Sequence, residues 1–196
     1  MAGIDTNSVY LPTPDQNKTT GAVAIAPAGT DMPEDAREVL TTPWESGGYV
    51  GEDGITLSTN KSVDPIKDWS QNVIRKTLTE FDGQMTVPFL QIDEWSAKRL
   101  IGSANVATKA ASSTAGKTTI MKLGAQLPEI EAWCFSMKDE DRRVRIFCPR
   151  AQITEIDEVA FVPNTANNWP ATLSCYADED GYSIYVIYDD GTVLAA

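Results

Sequence analysis

Two extended runs, residues 73–81 and 85–92, meet at Asp82-Gly83. An Asp-Gly pair between such runs supplies the positive φ that a tight turn needs, so the spacing predicts a hairpin. In the second run Met85, Val87 and Phe89 alternate with Gln84, Thr86 and Pro88, so one face is expected to be buried. Pro88 lacks a ladder donor, which favours an edge or a bulge. The first run is less regular: Arg75, Lys76 and Glu80 are mixed among Ile74, Leu78 and Phe81. A strand without a clean polar face is expected to meet something on both sides, such as another subunit. A short helix should follow. Asp93 can cap it, and Ala97, Leu100, Ile101 and Ala104 recur at helical spacing up to a break near Gly102.

The rest of the chain is built from short β segments. Residues 21–26 form an apolar strand candidate. Residues 34–40 could make a helical turn or two before Pro43. Residues 51–54 read as a turn. Residues 59–71, polar and carrying Pro65, read as a loop between strands in which Trp69 seeks a burial site. Residues 105–119, rich in Ala, Ser and Thr, read as a flexible linker. Trp133, Phe135 and Met137 should share a face. So should Val144, Ile146 and Cys148, with Arg143 and Arg145 opposite. Residues 153–162 form another extended run. Residues 172–176 and 182–188 should pair as a hairpin, and the second is apolar on both faces, as expected of a central or interface strand. The fold class expected is mainly β: two antiparallel sheets forming a β-sandwich or partial barrel, with one flanking α-helix. Residues 1–20 read as a flexible arm and residues 21–196 as one domain.

Composition narrows the chemistry. The chain of 196 residues has no histidine and a formal charge of −12. It therefore lacks the commonest general base and metal ligand, and it is ill suited to gripping DNA phosphates. Cys134, Cys148 and Cys175 stand in separate apolar runs, which suggests buried thiols and a reducing birthplace. Neither a signal peptide nor a membrane span is expected. The run from Ala111 to Gly116-Lys117-Thr118 approaches a phosphate-binding loop, but Ala111 stands where glycine is required and no apolar strand precedes it. Asp178-x-Asp180-Gly181 has the start of a calcium loop but lacks the later ligands. No catalytic residue, cofactor site or metal site is assigned.

Several segments, in order, carry a resemblance: Trp-Glu-Ser-Gly-Gly-Tyr-Val at 44–50, IKDWSQNVIRKTLTEF at 66–81, FLQIDEWSAKRLIGSANV at 89–106, GAVAIAPAGTDMPEDA at 21–36 and WPATLSCYADEDG at 169–181. This layout resembles the major tail tube proteins of long-tailed bacteriophages, particularly those infecting actinobacteria. The resemblance implies a structural virion protein, assembled in the bacterial cytoplasm into stacked hexameric rings. The tube would enclose a tape measure protein, join terminator and distal tail proteins at its ends, and pass DNA during ejection. No membrane is involved.

On this reading each copy gives its hairpin to a shared inner barrel, through Val73, Leu78, Phe81, Met85 and Phe89. The polar loop with Lys61, Asp64, Lys67, Asp68 and Trp69, together with the arm, would reach the next ring. Glu80, Asp82, Glu155, Asp157 and Glu158 are candidates for an acidic lumen, where like charge keeps DNA mobile. The alternative reading is a β-sandwich binding module of a virion or cell surface, either a tail accessory or a carbohydrate-binding protein.

Overall fold

The computed structural model describes residues 9–15 and 21–192. The elements, in order, are β1 (Thr13–Pro14), β2 (Val23–Pro27), β3 (Glu45–Ser46), β4 (Thr56–Lys67), β5 (Val73–Phe89), α1 (Glu94–Ile101), β6 (Val106–Lys109), β7 (Thr118–Met121), β8 (Glu131–Asp139), β9 (Arg142–Ile156), β10 (Trp169–Cys175) and β11 (Tyr185–Asp189). Among the described residues the chain is mainly β, with one large antiparallel sheet, a small second sheet and one α-helix. The large sheet runs β3-β2-β8-β9-β10-β5-β4, with β1 on β8 and β11 on β9. The second sheet is the hairpin β6-β7.

The large sheet curls over its own core. Val23 and Ile25 of β2, Trp133 and Phe135 of β8, and Met85, Val87 and Phe89 of β5 share one cluster with Leu100 and Ile101 of α1. Phe89 and Trp133, three strands apart in the sheet, bring their ring centres to 6.1 Å. After β3 the chain crosses to the far side: Leu90 donates to the Tyr49 carbonyl at 2.9 Å and Gly51 to that of Pro88 at 2.7 Å. These bonds lace β3, on one end of the strand order, to β5 near the other, which gives the partial barrel. Gly47 permits the crossing. Its N–H donates to the Val23 carbonyl at 2.7 Å, and a Cβ there would lie 2.6 Å from Val23 Cγ1.

On the outside of β2, β8 and the first half of β9, residues 30–44 form a cover. Leu40 and Trp44 pack on Ala24 and Cys134, and Trp44 meets Phe147 edge-on. This second layer explains why β8 is buried on both faces from Glu131 to Ser136. The cover is irregular where helical turns are expected over 34–40. The backbone carbonyls of Asp35 and Glu38 accept from Arg145, each at 2.8 Å, and the Asp35 carboxylate takes the amides of Arg37 and Glu38. Groups that would build a helix are thus used elsewhere.

Other expectations change too. Asp82-Gly83 is no turn: β5 runs through it. Gly83 is needed because Ile184 packs against its bare backbone, and a Cβ would lie 2.8 Å from Ile184 Cδ1. The hairpin turn falls at residues 68–72, so 59–67 is strand and not loop. The supposed linker holds β6 and β7, whose Val106, Thr108, Thr118 and Ile120 favour strand. Residues 153–156 continue β9, and the extended run stops there. β10 and β11 do not pair with each other: both lie antiparallel on β9, one beyond the other. β11 pairs with β9 alone, so it is an edge strand among the described residues. Part of the expected arm, residues 9–15, lies along β8, where Asp15 donates to the Ser136 carbonyl at 3.0 Å. Residues 1–8 and 16–20 of that arm lie outside the described residues.

Asp93 caps α1 as expected: its Oδ1 accepts from the Ser96 amide at 2.9 Å, and Ser96 Oγ accepts the Asp93 amide at 2.8 Å. The three cysteines are free and buried, and burial pushes the Cys134 thiol up to about 12.

Gly47→Ala is expected to destabilise the chain by about 1–3 kcal/mol, because backbone and the stiff Val23 side chain must both give way. Urea denaturation of the variant and the parent, compared at equal m-value, measures it.

Candidate assembly interface

β4 and β5 form a long hairpin whose outer half leaves the body of the subunit. From Thr86 to Val73 the two strands pair with each other, whereas β10 reaches β5 only from Phe89 to Gly83. Beyond Gly83, side chains on both faces of the hairpin are exposed.

The register explains the mixed sequence of the outer run. Pairing skips a residue of β5 twice, at Thr79 and at Ile74. Each bulge moves the following residues to the other face. Consequently Val73, Leu78 and Phe81 come to the side of Met85, opposite Lys67, Val63 and Lys61 of β4. This side continues the core face. It presents Leu57, Phe81, Leu78, Val63 and Val73 to solvent, and Lys61 sits over the Phe81 ring at 5.9 Å. The opposite side is polar. Asn60 faces Asp82, Ser62 faces Glu80, and Asp64 faces Thr77. Across the next strands the same side carries the rows Ser58-Gln84-Ser174-Gln152 and Thr56-Thr86-Thr172-Glu155. Thr154 Oγ1 and Ser174 Oγ hydrogen bond at 2.8 Å within it. Pro88 and Pro170 lie at one end, Ile66 and Arg75 near the tip.

The residues singled out in the sequence therefore separate. Val73, Leu78 and Phe81 stand together on the exposed apolar face. Met85 and Phe89, 0% and 3% exposed, belong to the core of the chain itself and are withdrawn from any contact surface. Lys61, Asp64 and Lys67 are strand residues. Only Asp68 and Trp69 lie in the turn. Glu80, Asp82 and Glu155 share the polar face, whereas Asp157 and Glu158 follow β9 in an exposed connection. The arginines of the first half of β9 are held elsewhere: Arg142 by Asp139 at 2.5 Å, Arg143 by Asp15 at 3.3 Å, and Arg145 by backbone carbonyls. Lys76 faces the apolar side, and Arg75 is the cation on the polar one.

The turn closes on itself. Asp68 N–H donates to the Asn72 carbonyl at 2.9 Å, Gln71 N–H to the Asp68 carbonyl at 3.0 Å, and Asn72 N–H to Asp68 Oδ1 at 2.8 Å. Gln71 takes a left-handed backbone, φ 66°. Trp69 projects from this frame fully exposed.

Sequence reasoning missed the cluster that fixes α1 to the sheet. Arg99 donates to Glu131 of β8 and, at 3.1 Å, to Glu45 of β3. Trp95 Nε1 also donates to Glu45, at 2.7 Å, and its ring lies 5.1 Å from the Arg99 guanidinium carbon. Burial pushes the Glu131 carboxyl up to about 7, with Arg99 pulling the other way. The signal in sequence was the charge at Glu131 directly before the apolar run 132–135.

The near-match to a phosphate-binding loop lies between β6 and β7. A strand follows it, not a helix, and Lys117 Nζ pairs with Glu94 at 2.6 Å. Asp178 Oδ1 accepts the amides of Asp180 and Tyr182, so the residues read against a calcium loop form a self-capped turn. Among the described residues no group of acids and cysteines is placed to hold a metal ion, and no helix is long and apolar enough to cross a membrane.

The chain thus combines a β-rich body, a hairpin with one exposed apolar face and strand edges that are open among the described residues. The phage tail tube protein family matches residues 17–196, and the chain belongs to that family. It is a structural protein of the phage tail tube and thus a virion component. Comparison with curated proteins gives no match.

Glu131 carries a pH prediction. Its folded value lies above its unfolded one, near 4.5, so its contribution is fully present below pH 4.5 and is lost as pH rises towards 7. Relative to the parent, Glu131→Gln should therefore gain on the order of 2–3 kcal/mol between pH 4.5 and pH 8. Melting curves of both proteins across that range measure the difference.

Proposed function

We propose that copies of this chain join edge to edge into closed rings, that the rings stack into a tube, and that the polar face of β9-β10-β5-β4 lines the bore through which DNA passes. The observation that carries this reading is the two-sided character of the hairpin. One face extends the hydrophobic core into solvent, and the other extends a wall of hydroxyl, amide and carboxylate side chains.

Open edges support the same arrangement. β4 pairs only with β5, and β9 beyond Ala151 pairs only with β10 among the described residues. Unpaired edges of this length favour addition of another strand. The four strands alternate in direction, so β4 of one copy meets β9 of the next in antiparallel fashion. A ring of such units closes without a parallel joint and leaves no edge. In that ring the apolar hairpin face points away from the bore, and Leu78, Phe81, Val63 and Val73 pack on a neighbouring copy. Glu80, Asp82 and Glu155 then face the bore, with Asp157 and Glu158 beside it. An acidic bore repels DNA over roughly a Debye length, about 8–10 Å at physiological salt, and lets it slide. The tip of the hairpin reaches the next ring.

Leu78→Asp and Phe81→Asp should abolish tubes while leaving a folded monomer, since both side chains are solvent-exposed in the isolated chain. In the assembly each would bury an unpaired charge, costing on the order of several kcal/mol. Electron microscopy with circular dichroism reads both outcomes. Normal tubes from both variants remove the hairpin face from the interface. A tube reconstruction tests the bore: Glu80, Asp82 and Glu155 are expected to line it, and a bore of positive potential overturns the assignment.

A further inference from the structure

We propose that Trp69 at the hairpin tip of one copy seats in the concavity formed by Trp95, Lys98 and Lys117 of another copy. The inference rests on reading the chain as a self-assembling tube subunit and names the two surfaces that meet.

The donor side is defined by exposure and rigidity. Among the described residues Trp69 is the most exposed of the large hydrophobic side chains. Its frame is braced by the Asp68–Asn72 bonds, so ordering the tip on binding costs little entropy. A solvent-exposed indole on a braced tip has the character of an interface anchor.

The receiving side is a concavity of about 410 Å³ lined by Asp93, Glu94, Trp95, Lys98 and Lys117. Its wall is organised by Glu94, which holds Lys98 at 2.8 Å and Lys117 at 2.6 Å. Two ammonium groups are thereby held in the wall of a concavity that Trp95 also lines, the Trp95 ring itself carrying the Arg99 guanidinium at 5.1 Å. An indole is the side chain such a site suits best, through aromatic packing on Trp95 and cation–π contact with the lysines. Asp68 and Lys67 flank Trp69 at the tip, and Asp93 and Glu94 balance Lys98 and Lys117 in the concavity, so aromatic packing and not net charge carries the fit. A second hollow, lined by Leu100, Leu123, Leu127 and Ile153 among others, is smaller, about 200 Å³, and offers no aromatic partner.

The arrangement also gives the near-match to a phosphate-binding loop a purpose. Lys117 closes the β6-β7 loop over α1 and completes one wall of the concavity.

The test is a directed cross-link. Protein carrying Ser70→Cys, which keeps Trp69, is co-assembled with protein carrying Lys98→Cys, and the tubes are mildly oxidised. The native cysteines are buried and stay silent. A 70–98 disulfide dimer is expected in tubes and absent from unassembled protein. Trp69→Phe, which keeps an aromatic anchor, should still assemble, and Trp69→Ala should lose elongation with unchanged circular dichroism. Tubes that form without a 70–98 link, or that link 70 to Leu127→Cys instead, overturn the seating and leave the tube reading intact. If the parent forms no tubes, the tube reading fails and the seating fails with it.

Discussion

β5 is one strand in two environments, and the subunit is arranged around that fact. Its inner half lies between β10 and β4 with Met85, Val87 and Phe89 in the core. Its outer half has a single partner strand and carries apolar side chains in solvent. Strand pairing is continuous across the change, so the body fixes the direction of the projecting hairpin. Gly83 marks the border, where Ile184 presses on the backbone. A side chain with a period of two cannot keep the apolar residues 73, 78 and 81 on one face. Two extra residues, Thr79 and Ile74, reset the count.

Much of the core was legible in sequence because burial imposes clean periods there. Alternation in 85–89, 133–137 and 144–148 marked inward faces that the structure keeps, and Asp93 marked the start of α1. Two of the misreadings share a cause: a local signal was overruled by a partner distant in sequence. Asp82-Gly83 has turn chemistry, yet Ile184, a hundred residues on, decides that Gly83 lies in a strand. Residues 34–40 have helical composition, but Arg145 takes their carbonyls. The true turn at 68–72 has no glycine and relies on Asp68 and Asn72.

The apolar and polar faces of the hairpin were hidden for a related reason. Counting by twos through Val73, Leu78 and Phe81 scatters them, and only the pairing register with β4 shows the bulges. Arg99, Glu45 and Glu131 lie on three separate elements, so nothing local announces their meeting. Trp69 was visible as a large aromatic in a polar run. Its full exposure is a property of the folded chain.

The even count of strands in the β9-β10-β5-β4 unit has a geometric corollary. In the proposed ring, a wall assembled from units of four alternating strands would satisfy its hydrogen bonding with any whole number of copies, so bonding would be indifferent to circumference. Circumference then follows from local curvature, and curvature in a sheet is set where an extra residue tightens the twist. Thr154 in β9 and Thr79 in β5 are such places. The calibre of the conduit would thus be written in a few register slips, leaving most of the wall free to vary in sequence while the diameter stays the same.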